Sequence, residues 1–290
     1  MTRYAWNLPK FLAKTILPYP LWMWLARRKE QQSVAHFEAR QVRHTYGGVP
    51  LDLYIADPIG AAWYDRDWDE VNDLVRSEFV FLRRSKLKSR AKVFNLGAHQ
   101  CLVALLLAQE VGPEGSVIAV EANAHNVMVG KENQKLNGAK QLKILHAAVA
   151  ERSGRVFFDE RLNGRVSTSR LGGVEVQAFS IDDLTQKYGV PDVLYIDVEG
   201  LEHQVLRGAR ETLTHRPDCF IEVHVGVGLE DFGGSLEQVL SVFSGTDYNL
   251  FIASAEYKVF KKVMPGDEVI PGDDLMPAPF YLLASSQDVV

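Results

Sequence analysis

KVFNLGAHQCLVALLLAQEVGPEGSVIAVEAN, residues 92–123, reads as one strand–turn–helix–strand unit. Lys92–Leu96 is a short apolar run of strand type, Leu102–Val111 has helical composition, and Ser116–Val120 is a second apolar run. Gly97 stands between the first strand and the helix, where a residue without Cβ lets the chain turn sharply and a ligand approach. The helix that follows presents free N–H groups and a positive dipole end. Glu121 closes the second strand, where a carboxylate accepts hydrogen bonds from two ribose hydroxyls.

The turn holds one glycine, where a dinucleotide site usually has three in G-x-G-x-x-G. That leaves little room for a pyrophosphate and suits a cofactor with a ribose and a small charged tail, such as S-adenosylmethionine. No Y-x-x-x-K pair follows, so a dinucleotide oxidoreductase is the weaker reading.

Outward from this unit the alternation continues. His125–Asn137 is helical, Leu142–Val149 strand-like, and Arg155–Phe158 and Val174–Phe179 are extra short strands around a polar loop. Val193–Val198 is a strand, Leu201–Thr214 a helix, Cys219–Val225 a strand and Ser235–Phe243 a helix. Tyr248–Ala253, Lys258–Val263 and Phe280–Ala284 end the chain as strands. The expected class is α/β, a Rossmann-like sheet, mostly parallel with an antiparallel edge and helices on both faces. Residues 1–90 form an N-terminal helical extension and 91–290 the Rossmann-like domain. Within the extension, His36–Arg43 suits a helix, Tyr46–Pro50 a turn, Leu51–Ile55 a short strand and Asp65–Leu87 a helix.

Ligands of such sheets bind at the carboxyl ends of strands. IDVEGLEHQVLRG (196–208) delivers Asp197, Glu199 and Glu202 at and after one strand end, and FIEVHV (220–225) carries Glu222 and His224 with period two. Glu199 and Glu202 also favour a helix start through the dipole. Asp197 and Glu222 interrupt apolar strands, where an unpaired charge is costly, and this points to function. An ordinary histidine titrates near neutrality, so His224 is a candidate base.

These pieces resemble the FkbM family of S-adenosylmethionine-dependent methyltransferases: VFNLGAHQC (93–101), the acid of VEAN, SIDDL (180–184), IDVEGLEHQVLRGA (196–209) and IEVH (221–224). The resemblance covers roughly residues 91–225. It implies a class I methyltransferase sheet and methyl transfer to a hydroxyl of a sugar, glycan or small natural product. It places cofactor contacts at Asn95, Gly97, Ala98, His99, Glu121, Ala122, Asn123, Ala148 and Glu199. The catalytic set is Asp197, Glu222 and His224, with His224 or Asp197 as base; such an Asp/Glu/His cluster can also hold Mg²⁺ or another divalent ion, but an acidic site without metal is the expectation and no metal ligands are assigned. Asp182 stands at an acidic position of the family and also suits a helix cap. Three residues depart from the family turn: Asn95, His99 and Cys101. They motivate a second reading, a non-catalytic methyltransferase-like binding module. Polar NGRVSTSR (163–170) is expected near the acceptor, with Ser167 and Ser169 as sugar contacts.

The 290 residues carry a formal charge of −5 and two cysteines, Cys101 and Cys219. That excludes a disulfide scaffold and a four-cysteine zinc module. Residues 1–29 hold six of the 32 basic residues and none of the 37 acidic ones, so residues 30–290 set 26 against 37. An acidic body argues against a nucleic-acid partner. The basic segment also contains Trp6, Trp22 and Trp24. Its uncharged run, Thr15–Ala26, is broken by Pro18 and Pro20 and is too short to span a bilayer. A helical arm packed on the body is expected there, with peripheral membrane contact as the alternative. Reduced cysteines and the lack of an export-signal pattern point to the cytoplasm.

Overall fold

The computed structural model describes residues 19–68, 77–159, 164, 166–167, 173–254, 260–263 and 280–288. In chain order they form α1 (Tyr19–Ala35), β1 (Arg40–Tyr46), β2 (Val49–Ile55), α2 (Pro58–Tyr64), α3 (Ser77–Arg84), β3 (Lys92–Leu96), α4 (Leu102–Val111), β4 (Ser116–Glu121) and α5 (Ala124–Leu136). Then come β5 (Leu142–His146), β6 (Ala148–Val149), β7 (Gly154–Phe158), β8 (Val166–Ser167), β9 (Val174–Phe179), α6 (Ile181–Tyr188), β10 (Val193–Ile196), α7 (Glu202–Arg207) and α8 (Arg210–Thr214). The chain continues with β11 (Asp218–Val223), a 3-10 turn at Leu229–Phe232, α9 (Leu236–Ser241), β12 (Asn249–Ser254), β13 (Lys261–Lys262) and β14 (Phe280–Ser285).

The main sheet has the order β13-β12-β14-β11-β10-β3-β4-β5. Its strands from β11 to β5 run parallel, and β14 lies antiparallel between β11 and β12. The parallel strands read as continuous apolar runs because both faces are covered. On one face Val93, Ala119, Tyr195, Phe220 and Leu283 join a core with α4 and the N-terminal elements. On the other, Phe94, Leu96, Ile118, Leu194, Ile196 and Ile221 pack with α6 and α7.

The N-terminal part differs from the helical expectation. His36–Arg43 forms no helix; the chain enters β1 at Arg40 and pairs antiparallel with β2, Tyr46 opposite Val49. The two-residue turn between them is Gly47-Gly48, both at positive φ, which suits a tight hairpin. Asp65–Leu87 is likewise not one helix. Helix formation starts earlier, at Pro58, where the Asp57 carboxylate accepts from the N–H groups of Ile59 and Gly60 and proline occupies the first turn. It stops at Tyr64 and resumes in α3, and residues 69–76 lie outside the described residues. Leu201–Thr214 breaks at Gly208, where a Cβ would press on the carbonyl oxygens of Ala150 and Glu151. Of the expected strand Lys258–Val263, residues 260–263 are described, and β13 takes up Lys261–Lys262.

The hairpin residues Tyr46, Leu51, Leu53 and Ile55 pack in the same core as Leu102, Leu105, Leu106, Leu107 and Val111 of α4. This explains why α4 is apolar all round: it is covered on both sides. Most of the segment 1–29 lies outside the described residues. No helix among the described residues is long and apolar enough to cross a membrane.

Candidate active site

Strand order reverses between β3 and β10, and the chain leaves both strands at a shared edge. Gly97 sits at φ +84°, and a Cβ there would fall on the carbonyl oxygen of Asp197. The glycine is therefore demanded by close strand approach. Around this edge opens a cleft of about 580 Å³. Its lining joins Gly97, Ala98, His99, Glu121 and Ala122 to Asp197, Glu199, Glu222 and His224.

At one end, the Glu121 carboxylate accepts the backbone N–H of His99 at Oε2 and of Asn123 at Oε1, both 2.7 Å. Burial pushes its pKa up to about 7, even though these amides and the Asn126 side chain favour the charged form. His99 and Cys101 adopt positive φ, 46° and 65°. The Cys101 side chain is accommodated because Gly130 of α5 has no Cβ, which would lie 2.7 Å from Sγ. The turn is braced from the N-terminal part. Tyr64 Oη hydrogen bonds His99 Nδ1 at 2.8 Å. Gln100 Nε2 donates to the buried Asp57 carboxylate at 2.6 Å, and His125 Nε2 lies 2.9 Å from the same oxygen.

At the other end the carboxylates crowd. In the parallel register Ile196 lies opposite Ile221, so Asp197 and Glu222 follow side by side on one face. Glu199 takes φ +52°, ahead of Gly200 at φ +103°. Glu202, at the start of α7 and fully buried, accepts the N–H of Gly200 and lies 2.8 Å from His224 Nδ1. That bond leaves Nε2 of His224 facing Asp197 Oδ1 at 3.9 Å and Glu199 Oε2 at 3.5 Å. Burial disfavours charge on His224, yet the hydrogen bond and charge of Glu202, with Asp197 and Glu199, outweigh it and push its pKa up to about 9. Burial, then Glu222 and Glu199, holds the Asp197 carboxyl well above its usual range.

Asn95 and Ala148 also line the cleft. Asn95 is 1% exposed, and its Oδ1 has no hydrogen-bond partner among the described residues. Asn123 stands apart: it caps α5, accepting from the N–H groups of His125 and Asn126, and is not part of the lining. Asp182 accepts from the N–H groups of Glu211 and Thr212 and so ties α6 to α8, away from the cleft. Ser169 lies outside the described residues, as does the side chain of Ser167; Gly164 and Val166 of that loop reach the lining.

Sequence reasoning missed two contributions. Glu202 was visible as a helix-start acid, but not as the partner of His224. Trp63, Tyr64, Arg66 and Trp68, on and just after α2, wall the cleft. A run of aromatic residues at 63–68 was the available signal, and it reads equally well as core.

A mostly parallel α/β sheet with a cleft at its strand ends is the architecture expected of a class I methyltransferase. Residues 95–258, more than half of the chain, match the methyltransferase FkbM domain, and the chain belongs to that family. It is 26% identical over 142 residues to the hexuronic acid methyltransferase AglP of Haloferax volcanii, a match spanning 47% of this chain and 56% of that protein. Among solved structures, methyltransferase FkbM from Methylobacillus flagellatus superposes with a TM-score of 0.44 at 16% identity, over 67% of this chain and 43% of that one. An S-adenosylmethionine-dependent O-methyltransferase from Thermotoga maritima gives 0.45 at 11%, over 85% and 77%.

Proposed function

We propose that the protein transfers a methyl group to a hydroxyl oxygen of a sugar, glycan or small natural product. The observation that carries this reading is one cleft with a hydroxyl-accepting carboxylate at one end and an acid–imidazole cluster at the other. The sugar class is supported by the hexuronic acid methyltransferase named above.

The residues fit the cofactor. Glu121 is fixed by two backbone amides and lines the cleft, and Gly97, Ala98 and His99 form the turn beside it. These residues, with Ala122 and Ala148, would hold S-adenosylmethionine, which supplies an electrophilic methyl group on a sulfonium. The chain's own task is alignment of the acceptor oxygen at about 3–3.5 Å from the carbon it attacks. The hydroxyl proton must also leave. Asp197 is the acceptor of that proton in this reading, because its raised proton affinity makes it a stronger base than an ordinary carboxylate. Glu222 on the neighbouring strand orients the hydroxyl. His224, locked by Glu202, keeps a positive charge beside Asp197 and Glu199.

The test is calorimetric titration with S-adenosylmethionine and S-adenosylhomocysteine beside Glu121→Ala. Binding that weakens at least thirtyfold in the variant, about 2 kcal/mol, is expected for two lost hydrogen bonds to a charged group. Absence of binding in the parent chain would turn the reading toward a non-catalytic module.

A further inference from the structure

We propose that Asp197, Glu199 and His224 form a site for one hard divalent cation, Mg²⁺ or Mn²⁺, at the acidic end of the cleft. Their three ligand atoms lie within 4.8 Å of one another. Two of the separations are 3.5 and 3.9 Å. Those are too long for good hydrogen bonds and suit the edges of a coordination shell. A cation seated between the three atoms would lie roughly 2.4 Å from each, and a side-chain shift of about 0.3 Å would bring them to the roughly 2.1 Å that Mg²⁺ takes. With Nδ1 engaged by Glu202, Nε2 faces the two carboxylates, and a cation seated there would displace the Nε2 proton and take its lone pair. A histidine that binds metal with one nitrogen commonly gives the other to a carboxylate.

A separate observation points the same way. Asn95 lies on the adjacent strand and on the same sheet face, since it pairs with Tyr195 while Asp197 follows two residues later. Its buried amide oxygen has no partner among the described residues, and the residue lines the same cleft. A neutral carbonyl oxygen is a ligand that hard cations take beside carboxylates. Two carboxylates with an amide oxygen and a single imidazole favour Mg²⁺ or Mn²⁺ over thiophilic metals. The open cleft leaves coordination positions for water or an acceptor hydroxyl. Only that last role rests on the methyl-transfer reading; binding of the ion does not.

The full-length chain, freed of metal and without cofactor, is titrated with Mn²⁺, read by calorimetry and by electron paramagnetic resonance. One equivalent should bind, with echo-envelope modulation from a coordinated imidazole nitrogen. Glu199→Gln should weaken binding at least tenfold, and His224→Gln should remove the nitrogen signal. Glu199 is one-third exposed, so its substitution leaves folding intact and decides the matter if the buried His224 variant does not fold. No binding of Mn²⁺ or Mg²⁺, binding that Glu199→Gln leaves unchanged, or a bound Mn²⁺ without nitrogen coupling overturns the proposal. None of these outcomes touches the titration of Glu121→Ala with S-adenosylmethionine.

Discussion

The two ends of the cleft handle negative charge in opposite ways. Glu121 is a single buried carboxylate, met by two backbone amides at 2.7 Å. Asp197, Glu199 and Glu202 share one imidazole, with Glu222 beside Asp197 on the neighbouring strand, and two of the three contacts exceed 3.4 Å. The first end is finished and waits for neutral hydroxyl donors. The second is incomplete, and its crowded, half-buried negative charge calls for a proton, a cation or a polarised hydroxyl. If this contrast is right, substitutions at the two ends fail differently: one loses cofactor, the other loses chemistry.

The sharpest way to break the contrast is Asp197→Ala. Turnover should fall at least a thousandfold, roughly 4 kcal/mol of transition-state stabilisation. Affinity for S-adenosylmethionine should change less than threefold, measured by calorimetry on the same preparation. A variant that keeps full turnover removes Asp197 from the chemistry and makes the two ends alike.

Next comes Glu202→Gln. Glu202 is fully buried and His224 nearly so, and loss of one partner of a buried pair costs about 3 kcal/mol. The pH dependence has a definite sign. The folded-state pKa of His224, about 9, lies above its unfolded value, so its charge contributes stability fully below pH 6.5. That contribution is lost as pH rises toward 9. Urea unfolding should therefore show a large deficit in the variant at pH 6 and a smaller one at pH 9.5. An equal deficit at both would show that the pair is held by shape rather than charge.

How much of this was legible beforehand follows from burial. β3, β4, β10 and β11 are covered on both faces, so each appears as an unbroken apolar run, and the acids at their ends stand out against it. Val42, His44 and Tyr46 alternate inward in β1, but the polar residues between them fit a helical spacing as well. Only the pairing with β2 decides, and pairing is not a local property. The same holds at the site. Glu202 and His224 are 22 residues apart and meet because α7 starts beside the end of β11. Trp63 and Trp68 reach the cleft through the docking of α2 on the cofactor turn, fixed by Asp57 with Gln100 and by Tyr64 with His99. The Cys101 departure needed Gly130, a residue 29 positions away, to be understood.

The smallest effect expected is the most specific to the Glu121 end. Its carboxyl is raised to about 7 in the free protein, and in the proposed function ribose hydroxyls would donate to the ionised form. Below pH 7 binding must first remove a proton, so apparent affinity for S-adenosylmethionine should drop about tenfold from pH 8 to pH 6. Stability of the cofactor-free protein runs the other way. A carboxyl that binds its proton more tightly when folded than when unfolded loses stability as pH rises from 4.5 to 7. Cofactor affinity and apo-protein stability should thus have opposite slopes across the same window. Glu121→Gln should flatten both, while Glu199→Gln at the other end should leave the stability slope in place. If affinity stays level between pH 6 and 8 in the parent chain, the carboxylate is already ionised or does not meet the cofactor, and the finished end of the cleft loses its assigned role.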